Sequence, residues 1–177
     1  MISATAVARM PGLRLTAFDF PFEGKPLNSL WPDSETTKDR RIAVESKVAQ
    51  TWLQAVAATA NAKDYEAHMD LISRNVKVFG IPDFDVITYE AWAAQCRHEF
   101  GQNILKQVSY DGIKVLVNMP GRVMFKTMET IEATDGTVNT MAVEIVIEKE
   151  TDGKWRVTQE RILSPEETAL DQDRGGY

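Results

Sequence analysis

The chain has 177 residues, a formal net charge of −6 and a single cysteine, with 44% hydrophobic residues. This length predicts one domain that is large enough to bury a core. The acidic charge disfavours nucleic acid as a partner, and one cysteine excludes an intrachain disulfide. No apolar run approaches the roughly 20 residues of a membrane span, and no secretory signal is apparent. A cytoplasmic protein without membrane contact is therefore expected.

Residues 1–41 have no regular period, because prolines and glycines interrupt every pattern. The segment is nevertheless rich in leucine, phenylalanine and tryptophan, which disordered tails normally lack. The composition therefore predicts an extended arm that lies on a surface, either that of its own domain or that of a partner subunit.

Three helices are predicted after this arm. Apolar residues recur with helical spacing from Val44 to Ala60, and a shorter helix is predicted within residues 63–75. A short strand, Val76–Phe79, follows. Thr88 is a fair N-cap for a third helix, which ends at Gly101.

Four long segments rich in Val, Ile, Thr and aromatic residues make up the rest of the domain. Turn signals separate them at Pro120-Gly121, Asp135-Gly136 and Asp152-Gly153. Successive strands with tight turns predict an antiparallel meander. Helices before a sheet predict an α+β fold in which a strongly bent sheet wraps around three helices. The domain is expected to span residues 42–163, and residues 164–177 form an acidic tail.

This layout resembles the NTF2-like superfamily, the cone-shaped α+β fold of ketosteroid isomerases, scytalone dehydratases and SnoaL-type polyketide cyclases. Three patterns carry the resemblance: the stretch WLQAVAATANAKDYEAHMDLISRNVKVF, the short helix after Thr88, and the closing DGKWRVTQERIL. The resemblance implies a cone whose open end holds an apolar pocket with a few polar groups. Because this fold hosts many chemistries, function has to be argued from the site.

The resemblance does not carry over the ketosteroid isomerase mechanism. The positions that match its two acids and its tyrosine are Gly80, approximately Ile145, and Val56, none of which can take a proton or stabilise an oxyanion. The two sheet histidines of scytalone dehydratases are missing as well, since His68 and His98 fall on predicted helices.

Three residues are candidate proton carriers. The corner Gly80-Ile81-Pro82 ends the first strand, and Asp83 and Asp85 follow it. A purely structural turn is one interpretation of this corner. The other is that Asp83 or Asp85 replaces the missing carboxylate, for which burial would have to raise its pKa. His68 lies beside the apolar stripe of its helix and could act as an acid or base, or have only a structural role.

The strand faces decide which polar residues line the cone. The family register places Arg156, Thr158 and Glu160 on the concave side, where Lys126 would join them, although a one-residue slip would reverse the face. The opposite face would then be apolar enough to predict a homodimer, unless the arm covers it. The residues of that apolar face are Val123, Phe125, Ile131, Val143, Trp155 and Val157.

Three functions remain open at this point: a protein that binds a small apolar or amphipathic molecule, a SnoaL-like cofactor-free isomerase, dehydratase or cyclase, and a structural assembly module. Because phosphate-loop, dinucleotide and metal-cluster motifs are missing, no cofactor or metal is expected. The candidate ligand contacts are Trp52, Val56, Met69, Trp92, Met128, Lys126, Arg156, Thr158 and Glu160, with core packing as the alternative for the apolar ones.

Overall fold

A computed structural model describes residues 35–173 and the side chains of residues 47–171. In chain order the elements are α1 (Glu35–Asn61), α2 (Tyr65–Met69), β1 (Ile72–Phe79), β2 (Ile87–Thr88), α3 (Tyr89–Gly101), β3 (Leu105–Met119), β4 (Arg122–Ala133), β5 (Val138–Lys149), β6 (Trp155–Ile162) and α4 (Pro165–Asp173). α1 begins ahead of the expected domain start at residue 42. The predictions for the arm otherwise concern residues 1–34, which lie outside the described part of the chain.

The six strands form one curved sheet in the order β2-β1-β6-β5-β4-β3. The four long strands form the predicted antiparallel meander. The pattern did not predict that β1 pairs in parallel with β6, or that the two-residue strand β2 extends the sheet. The α+β architecture predicted from the sequence is thus confirmed. No helix in residues 35–173 combines the length and apolarity that crossing a bilayer requires.

Burial alternates along β4 and shows which face of the sheet meets the helices. Val123, Phe125 and Ile131 are buried, whereas Lys126 is only half-buried. The Trp52 ring of α1 packs edge-on against Phe125, with 6.4 Å between ring centroids. The face that carries Phe125 is therefore the inner face, which points toward α1, and the face that carries Lys126 is the outer face.

This arrangement reverses the expected faces of β4 and corrects the argument for a dimer. The apolar residues that were expected outside form the core, with Val123, Phe125 and Val157 fully buried. On the outer face, Ala142 and Val146 are also buried, so part of that face is covered within the chain. The homodimer remains a prediction, but it loses the support of an exposed apolar sheet.

Gly80 explains the corner at the end of β1. Its φ is +85°, and a Cβ atom at this position would lie 2.3 Å from the carbonyl oxygen of Ile162 in β6. Both the backbone conformation and the close approach of the two strands require glycine. Ile81, the next residue, is buried. The corner is therefore a packing feature of the β1–β6 contact.

The segment expected to be an acidic tail contains a helix, α4. Ser164 and Glu167 form a capping box, in which each side chain accepts from the other residue's backbone N–H at 3.2 and 3.0 Å. Glu167 also pairs with Arg161 at 2.7 Å, and Asp171 pairs with Lys126. These ion pairs hold α4 on the outer face of the sheet.

Candidate active site

Two carboxyl groups and a phenol lie on the inner face of the sheet. Tyr110 of β3 is directly opposite Glu129 of β4. Glu160 of β6 belongs to the cross-strand row that begins at Phe125 and passes through Ile145. Since residues directly opposite one another share a face, all three groups point toward the helices. We call Tyr110, Glu129 and Glu160 the acid cluster.

Two local features position Tyr110. On one side, the Asn61 side chain at the end of α1 accepts from the backbone N–H of Val108 at 2.7 Å and donates to its carbonyl at 3.0 Å. On the other side, a register shift around Gly112, whose φ is +69°, is closed by the Thr127 hydroxyl, which donates to the Gly112 carbonyl at 2.7 Å. A bulge of this kind bends the strand and re-aims the neighbouring side chains.

Within the acid cluster, the Tyr110 hydroxyl donates to Glu129 Oε1 at 2.7 Å. Glu129 is buried, with 5% of its surface exposed, and Glu160 is partly accessible. Among the described side chains, no lysine or arginine forms an ion pair with either carboxyl group. Burying a carboxylate without a cation is costly, so such a group tends to hold a proton instead.

The pKa values of the cluster follow from this burial. Burial raises the pKa of Glu160 to about 8, and the charge of Glu129 contributes to the increase. Burial also raises the pKa of Glu129, but the hydrogen bond from Tyr110 opposes that effect. The pKa of Tyr110 lies well above its usual value, chiefly because of burial and then because of the two carboxylates. At neutral pH, Glu160 is the carboxyl that keeps its proton.

His68 is held in the core by the helices. Asp64 caps the short helix α2 by accepting from the Ala67 N–H at 3.1 Å, and this helix directs His68 inward. The imidazole is fully buried, with Nδ1 3.0 Å from the Thr59 hydroxyl and its ring edge-on to Phe100. Burial lowers the pKa of His68 to about 3. The side chain is therefore neutral at physiological pH and is poorly suited to donate a proton.

Asp83 and Asp85 lie in the turn after β1, and both side chains are exposed. Asp83 has a φ of +69°, and Phe84 beside it is 54% exposed. A catalytic base at this position would have to be buried, and neither aspartate is. The structure does not bring either of them into the acid cluster.

Of the polar residues expected inside the cone, only Glu160 lies in the acid cluster. Lys126 points outward and pairs with Asp171, and Met128 shares its face of β4. Arg156 donates to Asp70 at 2.9 Å and also pairs with Glu150 and Asp152. These three acids satisfy its guanidinium at the start of β6.

Thr158 marks the irregularity in β6. The register between β5 and β6 shifts so that Val146 faces Gln159 while Ile147 faces Val157, which leaves Thr158 as the extra residue. Its hydroxyl lies 3.5 Å from the Val146 carbonyl, a long and weak contact. The shift places Val157 and Glu160 on the same face and breaks the strict alternation that the sequence suggests.

The four candidates on the helices, Trp52, Val56, Met69 and Trp92, are all buried in the core, and none is more than 5% exposed. Val56 and Met69 contribute apolar packing. The indole N–H groups of Trp52 and Trp92 have no hydrogen-bond acceptor among the described residues.

A groove of about 560 Å³ runs between α1 and β3, and Tyr110 belongs to its wall. Apolar and amide side chains line it, including Leu53, Ala57, Ile113, Gln50 and Gln54. The groove therefore gives one side of the acid cluster a mixed polar and apolar approach from the surface. Within the described residues, no three His, Cys, Asp or Glu side chains converge as a metal site requires.

Sequence reasoning did not select Tyr110 or Glu129 as site residues. Glu129 left a readable signal, because it alternates with Val123, Phe125 and Ile131, and an acid in an apolar face is unusual. The sequence around Tyr110 carries no such signal, because the bulge after it determines which face of the sheet its side chain points to.

Comparison with known proteins identifies the fold. No family model matches the chain, and no curated protein matches it. Among solved structures, an NTF2-like protein with a cystatin-like fold from Novosphingobium aromaticivorans is 13% identical, with a TM-score of 0.57 over 83% of this chain and all of that one. An NTF2-like protein from Cytophaga hutchinsonii is 17% identical, with a TM-score of 0.55 over 67% of this chain and 97% of that one. A Novosphingobium aromaticivorans protein described as a "Putative Scytalone Dehydratase" is 11% identical, with a TM-score of 0.56 over 70% of this chain and 86% of that one. The chain thus has the NTF2-like fold expected from its sequence.

Proposed function

We propose that this protein binds a small, largely apolar molecule on the inner face of its sheet and rearranges it by cofactor-free acid–base catalysis, as an isomerase, dehydratase or cyclase. One observation carries the proposal. Glu129 is buried and Glu160 is half-buried on the same sheet face, close enough that the charge of Glu129 raises the pKa of Glu160, and no described cation pairs with either carboxyl group. A purely structural core gains nothing from two such acids, whereas strongly perturbed carboxyl groups are typical of catalytic sites.

The two acids divide the work of proton transfer. Glu160, whose pKa is about 8, is protonated at pH 7 and acts as the general acid toward a carbonyl or departing hydroxyl oxygen. Glu129 is the more acidic of the two, because Tyr110 donates to it, and it takes a proton from carbon. One proton enters the substrate and one leaves it, so no redox partner is needed. A proton then passes from Glu129 back to Glu160, directly or through solvent, and restores the starting protonation states.

The surroundings favour this chemistry. Phe125, Ile145 and Trp52 form an apolar wall beside Glu160, and all three are buried. Electrostatic interactions are stronger where water is excluded. The neighbouring carboxyl group therefore interacts more strongly with the charge that develops on the substrate during proton transfer. Dehydration is one of the reaction classes to test, in keeping with the description of one structural neighbour.

The test compares Glu160→Gln and Glu129→Gln with Glu132→Gln, a control outside the acid cluster that lies on the same strand as Glu129 and pairs with Lys106. Turnover is followed by NMR on a panel of cyclic enones, β-hydroxy ketones and diketones. We expect a loss of about 100-fold or more in kcat for each of the first two variants, as is usual when a general acid or base is removed. Glu132→Gln is expected to keep the wild-type rate. Equal rates in all three variants would contradict the assignment.

A further inference from the structure

β3 forms one edge of the sheet, because β4 is its only neighbour among the described strands. Over residues 107–111 its register against β4 is regular. In a regular antiparallel pair the residues alternate. One residue exchanges both of its backbone hydrogen bonds with the partner strand, and the next directs its N–H and C=O away from that strand. Every second residue of this part of β3 therefore presents two backbone groups at the edge.

The Asn61 side chain shows which residues these are. Its amide oxygen accepts from the Val108 N–H at 2.7 Å, and its amide nitrogen donates to the Val108 carbonyl at 3.0 Å. Both backbone groups of Val108 therefore point away from β4. By the same alternation, the N–H and C=O of Tyr110 also point away from β4, whereas those of Ser109 point toward Thr130.

The backbone of Tyr110 has no counterpart of Asn61. Within the part of the chain that the structure describes, no side chain and no backbone group at this edge bonds to its N–H or C=O. The Tyr110 side chain points inward to Glu129. At Gly112 the bulge ends the regular pairing, and the Gly112 carbonyl accepts from the Thr127 hydroxyl. Tyr110 is thus an open position on a strand edge, which is a template for further pairing.

This open position lies in the groove of about 560 Å³ between α1 and β3. Six consecutive residues of β3, 108–113, line one wall of the groove, as expected where a strand presents its edge. The opposite wall is uncharged and consists of Gln50, Leu53, Gln54 and Ala57 of α1. A groove of this volume, with apolar side chains and a few polar groups, is typical of small-molecule sites.

We propose that this edge binds a neutral, largely apolar small molecule that carries a lactam or a primary amide, and that this amide pairs with Tyr110 as the Asn61 amide pairs with Val108. In lactams and primary amides the C=O acceptor and an N–H donor lie on the same side, so one group reaches both backbone groups. An open-chain secondary amide is trans, which places its C=O and N–H on opposite sides. Asp111, the one charged residue of the lining, disfavours an anionic ligand.

The first measurement is amide hydrogen exchange in the ligand-free, full-length protein, followed by ¹H–¹⁵N NMR. The Tyr110 N–H is expected to exchange at least about 100-fold faster than the N–H groups of Val108 and Ser109, which are bonded to Asn61 and to β4. Equal protection of the three amides would show that another part of the chain or a second copy already pairs with Tyr110, and would overturn the proposal.

The second measurement titrates the same protein with four probes of similar size: dihydroquinolinone, N-methyl-dihydroquinolinone, acetanilide and aminotetralin. The first, a lactam, is expected to bind best, to move the Tyr110 amide proton downfield and to slow its exchange. The N-methyl lactam lacks the donor and acetanilide is trans, so each should bind about 5- to 10-fold more weakly, the effect of one hydrogen bond. The proposal is wrong if the lactam does not bind, if another probe binds as tightly, or if the Tyr110 amide does not respond.

A pair of variants locates the bound lactam. Gln54→Trp places an indole in the groove and is expected to weaken lactam binding by about 10-fold or more, since the ring and the ligand compete for the same volume. Ala58→Trp is the matched control, because Ala58 is exposed on the same helix and does not line the groove. Unchanged affinity in both variants would place the lactam elsewhere and contradict the proposal. The wild-type titration decides the question even where a variant does not fold.

This proposal does not depend on the proposed acid–base function, because it uses only backbone groups at the edge and is tested without turnover. If the lactam does not bind, the assignment of Glu129 and Glu160 is unaffected. If Glu160→Gln and Glu129→Gln turn over substrate at the wild-type rate, the lactam site at Tyr110 still stands.

Discussion

At the scale of single residues, the main finding is that two glutamates on one sheet face have different environments. Glu129 accepts a hydrogen bond from Tyr110, which favours its charged form, whereas Glu160 has no such donor among the described residues. Such a pair titrates as a coupled unit, with the first proton lost from the better-stabilised carboxylate. The hydrogen bond from Tyr110 to Glu129, together with the effect of the Glu129 charge on Glu160, therefore produces a base and an acid from the same type of side chain.

The ionisation of His68 leads to a prediction about stability in acid. Its pKa falls from 6.5 in the unfolded chain to about 3 in the folded protein. The unfolded state therefore binds more protons between these values, so the contribution of His68 is complete above pH 6.5 and is lost as the pH falls toward 3. We expect His68→Leu to flatten the decline in unfolding free energy between pH 6.5 and 4, as measured by urea denaturation.

The matched control for this prediction is His98→Gln, because His98 is exposed on α3. At pH 7 the His68→Leu variant should lose about 1 kcal/mol, the net value of one hydrogen bond. Thr59 keeps a partner in the Ala55 carbonyl at 2.9 Å, so its hydroxyl is not left unsatisfied. An unchanged pH dependence in His68→Leu would show that this histidine is not the buried neutral group described above.

At the scale of elements, β1 and β6 lie so close together that only glycine fits at position 80. Gly80 has a positive φ, and a Cβ atom added there would clash with the Ile162 carbonyl. Gly136 has a similar φ, +89°, but open space around it. Both substitutions to alanine introduce left-handed strain of about 1–2 kcal/mol. Only Gly80→Ala also forces the two strands apart.

We therefore predict that Gly80→Ala lowers the free energy of unfolding by at least about 3 kcal/mol, and that Gly136→Ala lowers it by about 1 kcal/mol. Urea denaturation of both variants separates the contact from the backbone strain. Equal losses in the two variants would mean that β1 and β6 are not in the close contact described.

The sheet also shows what a sequence pattern can and cannot determine at this scale. The four long strands and their turns were predicted because Val- and Ile-rich runs and Gly-containing turns are local signals. The inner face of β4 was predicted the wrong way round, because the alternation was carried over from β6. The extra residue at Thr158 breaks that alternation, and a bulge depends on the partner strand and leaves no clear local pattern.

At the scale of the whole molecule, the order of helices and strands was sufficient to predict the fold, and structural comparison confirms it. The acid cluster was only partly predictable. Glu160 was a candidate from its strand position, but its neighbours there were expected to be Lys126 and Arg156. Instead, Tyr110 and Glu129 lie 50 and 31 residues before Glu160 in the chain, and the fold of the sheet brings the three together.

The protonation of Glu160 can be measured directly by NMR, in a pH titration of the protein with ¹³C-labelled glutamate carboxyl groups. We expect one glutamate resonance to titrate near pH 8 in the wild type and to be missing in Glu160→Gln. A spectrum in which every glutamate titrates below about pH 5, as exposed carboxyl groups do, would contradict it. In that case the inner face holds no proton at neutral pH, and the proposed acid–base chemistry would have no general acid.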